Sequence, residues 1–129
     1  MVEINPDIHT RIVKYNCKDF IMVMENILDK IYRSKKQYKS IYAIPRGGLI
    51  PGVYLSHKLG LPLYTDGVRS MNTLVVDDIL DTGNTLERYT ELDKVVILAK
   101  PEGIKRLNCN NIIYGSTCKD NDWIEFWWE

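Results

Sequence analysis

The chain has 129 residues, 45% of them apolar, with 17 Lys and Arg against 17 Asp and Glu. That length and apolar content suit one domain, residues 1–129, with a core of its own, and exclude a disordered chain. The even charge balance carries no electrostatic footprint for nucleic acid or an anionic membrane, but leaves room for a local basic pocket.

"RIVKY", around Val13, reads as a short strand. Asn16 then caps a helix, with Asp19 three residues on as in a capping box. Phe20, Val23, Met24, Ile27, Leu28 and Ile31 recur at helical spacing and give that helix a core-facing stripe. "RSKKQYK" closes it with cations suited to a helix C-terminus. "SIYAI" is a β-rich run leading into Pro45-Arg46-Gly47-Gly48. "LIPGVYLSHKLG" reads as helix, with Pro51 in its first turn and Gly60 placed to end it. "LPLY" is a brief strand, "TLVVDD" a longer one, and "NTLERYTEL" begins a helix. "KVVILAK" and "NIIYGST" are further strands, and the chain ends on "DWIEFWWE".

Strands alternate with helices, and the strand runs are continuously apolar. A parallel sheet covered on both faces is expected. Cys17, Cys109 and Cys118 show no CxxC spacing, which points to a reducing compartment and away from structural zinc. The opening "MVEINPDIHT" is unlike a signal peptide, and no apolar run is long enough to span a membrane. The expected location is the cytosol.

The stretch with the most chemistry is "LVVDDILDTGNTL", Leu74 to Leu86. In an open parallel sheet, ligands bind beyond the carboxyl ends of the strands. "LVV" brings Asp77 and Asp78 to that edge, and Thr82, Gly83, Asn84 and Thr85 make the following turn. Gly83 permits close backbone approach. Backbone N–H groups there favour a phosphate, and the two threonines add hydroxyl donors. An anion cradle beside carboxylates suits a sugar phosphate, whose hydroxyls the acids accept. A P-loop NTPase reading needs a Gly-Lys pair, and the chain has none. A receiver domain places its paired acids behind its first strand, not past mid-chain. A capped helix start, with Asp81 or Thr82 as N-cap, accounts for one acid or one threonine, not for three acids with two threonines.

"LVVDDILDTGNTL" resembles the phosphoribosyl-pyrophosphate motif of the type I phosphoribosyltransferases, with Asn84 where members usually carry Gly. Asn tolerates left-handed backbone. "IPRGGLIPG", Ile44 to Gly52, resembles the pyrophosphate loop of the xanthine-guanine branch, in which a strained peptide bond would involve Pro45 and Arg46. Arg46 is a permanent forked cation suited to phosphate, and Gly47 exposes its N–H. A simple turn is the alternative there. "LAKPEG" and "DWIEFWW" resemble the base-binding parts of the same branch. The resemblance gives base-binding roles to Lys100, Trp123 and Ile124; the alternatives are a solvated strand end for Lys100 and core for Trp123. Trp127 and Trp128 are read as packing or a subunit contact.

The resemblance covers nearly the whole chain. It implies a parallel-sheet, Rossmann-like α/β fold with a small C-terminal base-binding hood. It implies transfer of 5-phosphoribose from phosphoribosyl pyrophosphate to a 6-oxopurine, with Mg²⁺ held in part by Asp78. Asp77 and Asp78 would hold the ribose hydroxyls and Asp81 would act as general base or N7 partner. The 5′-phosphate falls to Thr82, Gly83, Asn84 and Thr85, and pyrophosphate to Arg46, Gly47 and Arg69. Relatives form dimers or tetramers, so a homodimer or homotetramer is expected. One part of the pattern is missing: "TDGVRSMNTL" is too short for the extra strand and long flexible loop of the relatives. A non-catalytic binder of phosphoribosyl pyrophosphate or a nucleotide therefore stays open, as does a non-purine base.

Overall fold

The structure is a computed structural model that describes residues 2–5 and 10–129. Its elements are β1 (Val2–Asn5), β2 (Thr10–Tyr15), α1 (Cys17–Ser34), β3 (Ser40–Ala43), α2 (Leu49–Leu59), β4 (Leu63–Tyr64) and β5 (Thr73–Leu80). A 3₁₀ turn (Leu86–Tyr89), β6 (Lys94–Ala99), α3 (Pro101–Leu107), β7 (Ile112–Thr117) and β8 (Asp122–Phe126) follow.

The central sheet has the order β4-β3-β5-β6-β7, and every pairing in it is parallel. All six residues of β6 are buried, which is why this strand is apolar throughout rather than alternating. On one face α1 lays Met24, Ile27 and Ile31 against Ile41, Leu74, Val76, Val95 and Ile97. On the other, Val75 and Val96 pack with Leu86, Leu92, Ile104 and Leu107 from the 3₁₀ turn, its exit and α3. The Asn16 capping box is present: Asp19 N–H donates to Asn16 Oδ1 (2.8 Å) and Asn16 N–H to Asp19 Oδ2 (3.2 Å). Gly60 ends α2 in the left-handed conformation.

The structure changes the sequence reading in two places and adds to it in one. The helix begun by "NTLERYTEL" stops after one 3₁₀ turn. At its exit stands the buried Lys94, whose Nζ donates to Tyr89 O (2.9 Å), Leu92 O (2.7 Å) and Asn111 Oδ1 (3.0 Å). An α-helix continuing past Tyr89 would give Tyr89 O the N–H four residues on; here that oxygen takes the Leu92 N–H (3.0 Å) and the Lys94 ammonium instead. Second, "PEGIKRL" is helix α3, with Pro101 at its start and Asn108 left-handed at its end. Third, the expected C-terminal hood draws on both ends of the chain. It is a three-stranded sheet, β1-β2-β8, in which β8 pairs in parallel with β2 and β1 runs antiparallel to β2. Arg11 and Asp122 lock β2 to β8 through two hydrogen bonds of 2.9 Å. Burial works to raise the Asp122 carboxyl, but Arg11 and the Lys119 N–H outweigh it and hold it below the usual carboxylate range.

Candidate functional site

Along β5, Leu74 and Val76 face the α1 side and Val75 the opposite side. Asp77 continues the Val75 face, toward Tyr42, and Asp78 the Val76 face, toward Gly47 in the turn before α2. The two acids therefore serve different sides of the sheet edge. Each caps the next amide: Asp78 N–H donates to Asp77 Oδ1 (2.9 Å) and Ile79 N–H to Asp78 Oδ1 (2.8 Å). Asp77 is buried, and burial together with the charge of Asp78 pushes its carboxyl up to about 7.

Asp78 borders three cavities. The first, about 190 Å³, is formed by the chain from Asp77 to Leu86. Gly83 has φ +92°, which favours glycine. Asn84 N–H donates to Thr82 Oγ1 at 3.4 Å. Thr85 occupies the N-cap of the 3₁₀ turn and makes no side-chain cap bond, so neither Asp81 nor Thr82 is spent as a helix cap.

The second cavity, about 660 Å³, lies between Arg46, Gly47, Asp78, Trp128 and Glu129. The Pro45–Arg46 peptide is cis, at the position singled out in the sequence. Gly48 N–H donates to Ile44 O (2.8 Å) and Leu49 N–H to Arg46 O (3.1 Å), which turns the chain from β3 into α2. A side chain at Gly47 would overlap the Asp78 carboxylate, so glycine here permits the acid and the loop to share one edge.

The third cavity, about 210 Å³, joins Asp78 and Asp81 to Lys100, Trp123, Ile124 and Glu129. Lys100 Nζ lies 3.2 Å from Asp81 Oδ1, and the lysine side chain is only 11% exposed. The alternative of a solvated strand end does not describe it. Trp123 is 62% exposed, so it is not core, whereas Ile124 is buried. β8 thus presents an indole beside the lysine while its neighbour anchors the strand.

Arg69 is not brought to these cavities. Arg69 N–H and Ser70 N–H donate to Thr73 Oγ1 at the start of β5, and the Arg69 guanidinium lies over the Tyr64 ring and against Asp66. Tyr64 pairs with Tyr42, and Tyr42 with Val75. Asp78 lies three residues further along and two strands across, roughly 10 Å in each direction. Residues 65–72 contain no strand, as the short spacing implies.

Sequence reasoning missed Trp128, Glu129 and Arg106. Trp128 stacks on Phe126 (4.6 Å between ring centres) and also walls the Arg46 cavity, so it both packs and lines. Burial, then the charge of Asp78, raises the Glu129 carboxyl. Arg106 reaches back from α3 to Thr82, Asn84 and Glu87. Among the described residues no three His, Cys, Asp or Glu side chains form a metal cage, and no helix is long and apolar enough to cross a membrane.

No family model matches the chain. A xanthine-guanine phosphoribosyltransferase of Idiomarina loihiensis is 29% identical over 121 residues, covering 73% of each chain. The crystal structure of a hypothetical protein from Neisseria gonorrhoeae with bound ppGpp superposes with a TM-score of 0.74 at 22% identity, covering 93% of this chain and 90% of that one. The purine phosphoribosyltransferase of Pyrococcus horikoshii superposes with a TM-score of 0.69 at 25% identity, over 92% and 94%. The parallel five-stranded sheet, its acidic strand end and these likenesses agree: the chain has the fold of the type I phosphoribosyltransferases and is similar to them in sequence.

Proposed function

We propose that the protein transfers 5-phosphoribose from phosphoribosyl pyrophosphate to N9 of a 6-oxopurine, releasing pyrophosphate. The observation that carries this reading is the position of Asp78 on the border of all three cavities. A ribose held there has room for its 5′-phosphate on one side, pyrophosphate on a second and a base on a third.

In this reading the N–H groups and hydroxyls of Thr82, Gly83, Asn84 and Thr85 take the 5′-phosphate. Asp77 and Asp78 accept from the ribose hydroxyls. Arg46 and the Gly47 N–H hold pyrophosphate. At the base end, Lys100 donates to the 6-carbonyl, Asp81 serves N7 as partner or general base, and Trp123 stacks on the ring. Asp78 fits Mg²⁺ chemically: it offers hard oxygen in an open cavity, and magnesium is commonly held by one or two carboxylates plus substrate phosphates. Bound there, the ion would neutralise pyrophosphate as it leaves. The same reading includes a homodimer or homotetramer, supported by the exposed Met22, Val53 and Trp127, and work in the cytosol.

A second reading is a nucleotide binder without turnover. Two observations favour it: residues 65–72 leave the pyrophosphate side without a closing loop, and the Neisseria protein of similar fold holds ppGpp. One experiment separates the two. Purified protein is given phosphoribosyl pyrophosphate, Mg²⁺ and guanine, xanthine, hypoxanthine or adenine, and nucleotide formation is followed. Calorimetry runs in parallel with the purine nucleoside monophosphates and with ppGpp. Transfer to a 6-oxopurine supports the enzyme; tight nucleotide binding without transfer supports the binder.

A further inference from the structure

The loop from Asp81 to Thr85 has little to hold it in shape. Its internal bonds are Glu87 N–H to Gly83 O (3.0 Å) and the long Asn84 N–H contact to Thr82 Oγ1. A glycine-containing loop loses much conformational entropy on ordering. Something outside it must hold its amides ready for a ligand.

Helix α3 supplies that support. Any side chain at Gly103 would meet the Asp81 carbonyl oxygen at 2.5 Å, so the helix lies directly against the loop's start. A Cβ on Gly83 would lie 3.3 Å from Leu107. Arg106 then spreads its fork over the loop. Nη1 donates to Thr82 O (3.3 Å) and to Asn84 Oδ1, and Nη2 donates to Glu87 Oε2 (3.0 Å). The Glu87 pair alone is exposed on both sides and is worth little. The value lies in the geometry: one planar cation ties the beginning, the middle and the exit of the loop together. Arg106 does not itself line the loop cavity.

We infer that Arg106 is a positioning residue for the phosphate loop, acting through Asn84 to hold the loop's backbone in its binding shape before a ligand arrives. This rests on the reading of Thr82–Thr85 as the 5′-phosphate site. Preorganisation of this kind improves affinity by lowering the ordering cost of binding. It concerns only ligands that use the loop, so a nucleoside without phosphate should be indifferent to Arg106.

The test compares wild type with Arg106→Ala, Arg106→Lys, Asn84→Ala and the Asn84→Ala/Arg106→Ala double variant. Hydrogen exchange of residues 82–87 is measured without ligand, and calorimetry is run with guanosine monophosphate and with guanosine. Arg106→Ala should speed exchange in that segment about tenfold, the scale of one charge-assisted hydrogen bond, while β5 and β6 keep their protection. Guanosine monophosphate affinity should fall about tenfold and guanosine affinity by less than about twofold. Arg106→Lys should recover part of the loss, and the double variant should be no worse than Arg106→Ala. Unchanged exchange, equal losses for nucleoside and nucleotide, or additive losses in the double variant would each overturn the assignment. If wild type binds neither ligand, the functional reading fails, and the ligand-free exchange comparison still decides the role of Arg106.

Discussion

Lys100 Nζ stands 3.2 Å from Asp81 Oδ1, a nearly buried cation beside a largely exposed carboxylate. The pair presents a donor next to an acceptor. A 6-oxopurine base in its N7–H tautomer offers the complement, a carbonyl oxygen that accepts from Lys100 beside an N–H that donates to Asp81, whereas adenine offers an amino donor to a lysine that can only donate. Setting adenine's amino donor against this nearly buried ammonium leaves a donor without an acceptor, at a cost of about 1–3 kcal/mol. Wild type should therefore favour guanine, xanthine or hypoxanthine over adenine by at least about tenfold. Lys100→Met should reduce that preference to within about threefold. The measurement is kcat/KM for each base, or nucleotide affinity if turnover is absent; an undiminished preference in the variant removes Lys100 from the base site.

The Asp77 carboxyl, pushed up to about 7 by burial and by Asp78, makes stability depend on pH. Its folded value lies above the unfolded one, so between pH 4 and pH 7 the folded state binds more protons than the unfolded state. Stability then falls as pH rises through that window and levels off above it. Asp77→Asn keeps an oxygen to accept the Asp78 N–H and removes the charge. The variant should lack the Asp77 part of the fall between pH 4 and pH 7 and be more stable than wild type at pH 8 by on the order of 1 kcal/mol. Urea denaturation at pH 5, 6, 7 and 8 reads this directly. Parallel curves for the two proteins would reject the assignment of the slope to Asp77.

Lys94 gives a purely structural prediction. Its Nζ is the partner of Tyr89 O and Leu92 O, inside a residue that is 1% exposed. Lys94→Met fills the volume but leaves Leu92 O without this donor, while Tyr89 O keeps the Leu92 N–H (3.0 Å). The cost should be about 1–3 kcal/mol, from one buried acceptor left unpaired. A shift of the urea midpoint at constant slope would show it; a change below about 0.5 kcal/mol would mean that water replaces the ammonium.

The parts of this molecule legible in the sequence are those written in one local stretch. Asp77, Asp78 and the loop to Thr85 follow directly from a strand that must be buried, so strand, acids and turn could be read together. The Asn16 cap and the Gly60 stop were legible for the same reason. Lys100 and Trp123 were legible through resemblance, since nothing local says that a strand-end lysine will be buried or that an indole near the end of the chain will stand exposed. What escaped depends on distant partners. The 3₁₀ turn ends against a lysine on the next strand. The hood needs β8 to find β2, 111 residues away between Arg11 and Asp122. Arg106 meets Asn84 across 22 residues, and only after α3 has formed.

Arg69 is the clearest case of a residue whose chemistry fitted and whose place does not. It was the fixed cation of the short segment before β5, but its guanidinium lies 4.1 Å from the Tyr64 ring centre and pairs with Asp66. Arg69→Ala should change nucleotide affinity and transfer by less than about twofold, with a stability loss of about 0.5–1 kcal/mol from the lost ring contact. A fall in turnover with unchanged nucleotide affinity would instead mean that residues 65–72 move to the site during reaction.

Gly47 offers the sharpest separation of folding from function. A methyl group there would collide with the carboxylate of Asp78. The colliding atoms are the far end of a side chain beside an open cavity of about 660 Å³, so Asp78 can swing away and the fold should lose less than about 1 kcal/mol. Function has no such escape. The displaced carboxylate would leave the border of all three cavities, and the added methyl would stand where pyrophosphate approaches the Gly47 N–H. Misplacement of a site group by about 1 Å can cost about a hundredfold in rate. Gly47→Ala should therefore weaken pyrophosphate and phosphoribosyl-pyrophosphate binding by at least about tenfold while the melting temperature moves by only a few degrees. Nucleoside monophosphate, which leaves the Arg46 side of Asp78 unused, should lose less. Calorimetry with the three ligands on both proteins is the measurement. Equal loss for all three would mean that Gly47 acts through Asp78 alone; no loss for any would take the Arg46–Gly47 turn out of the site.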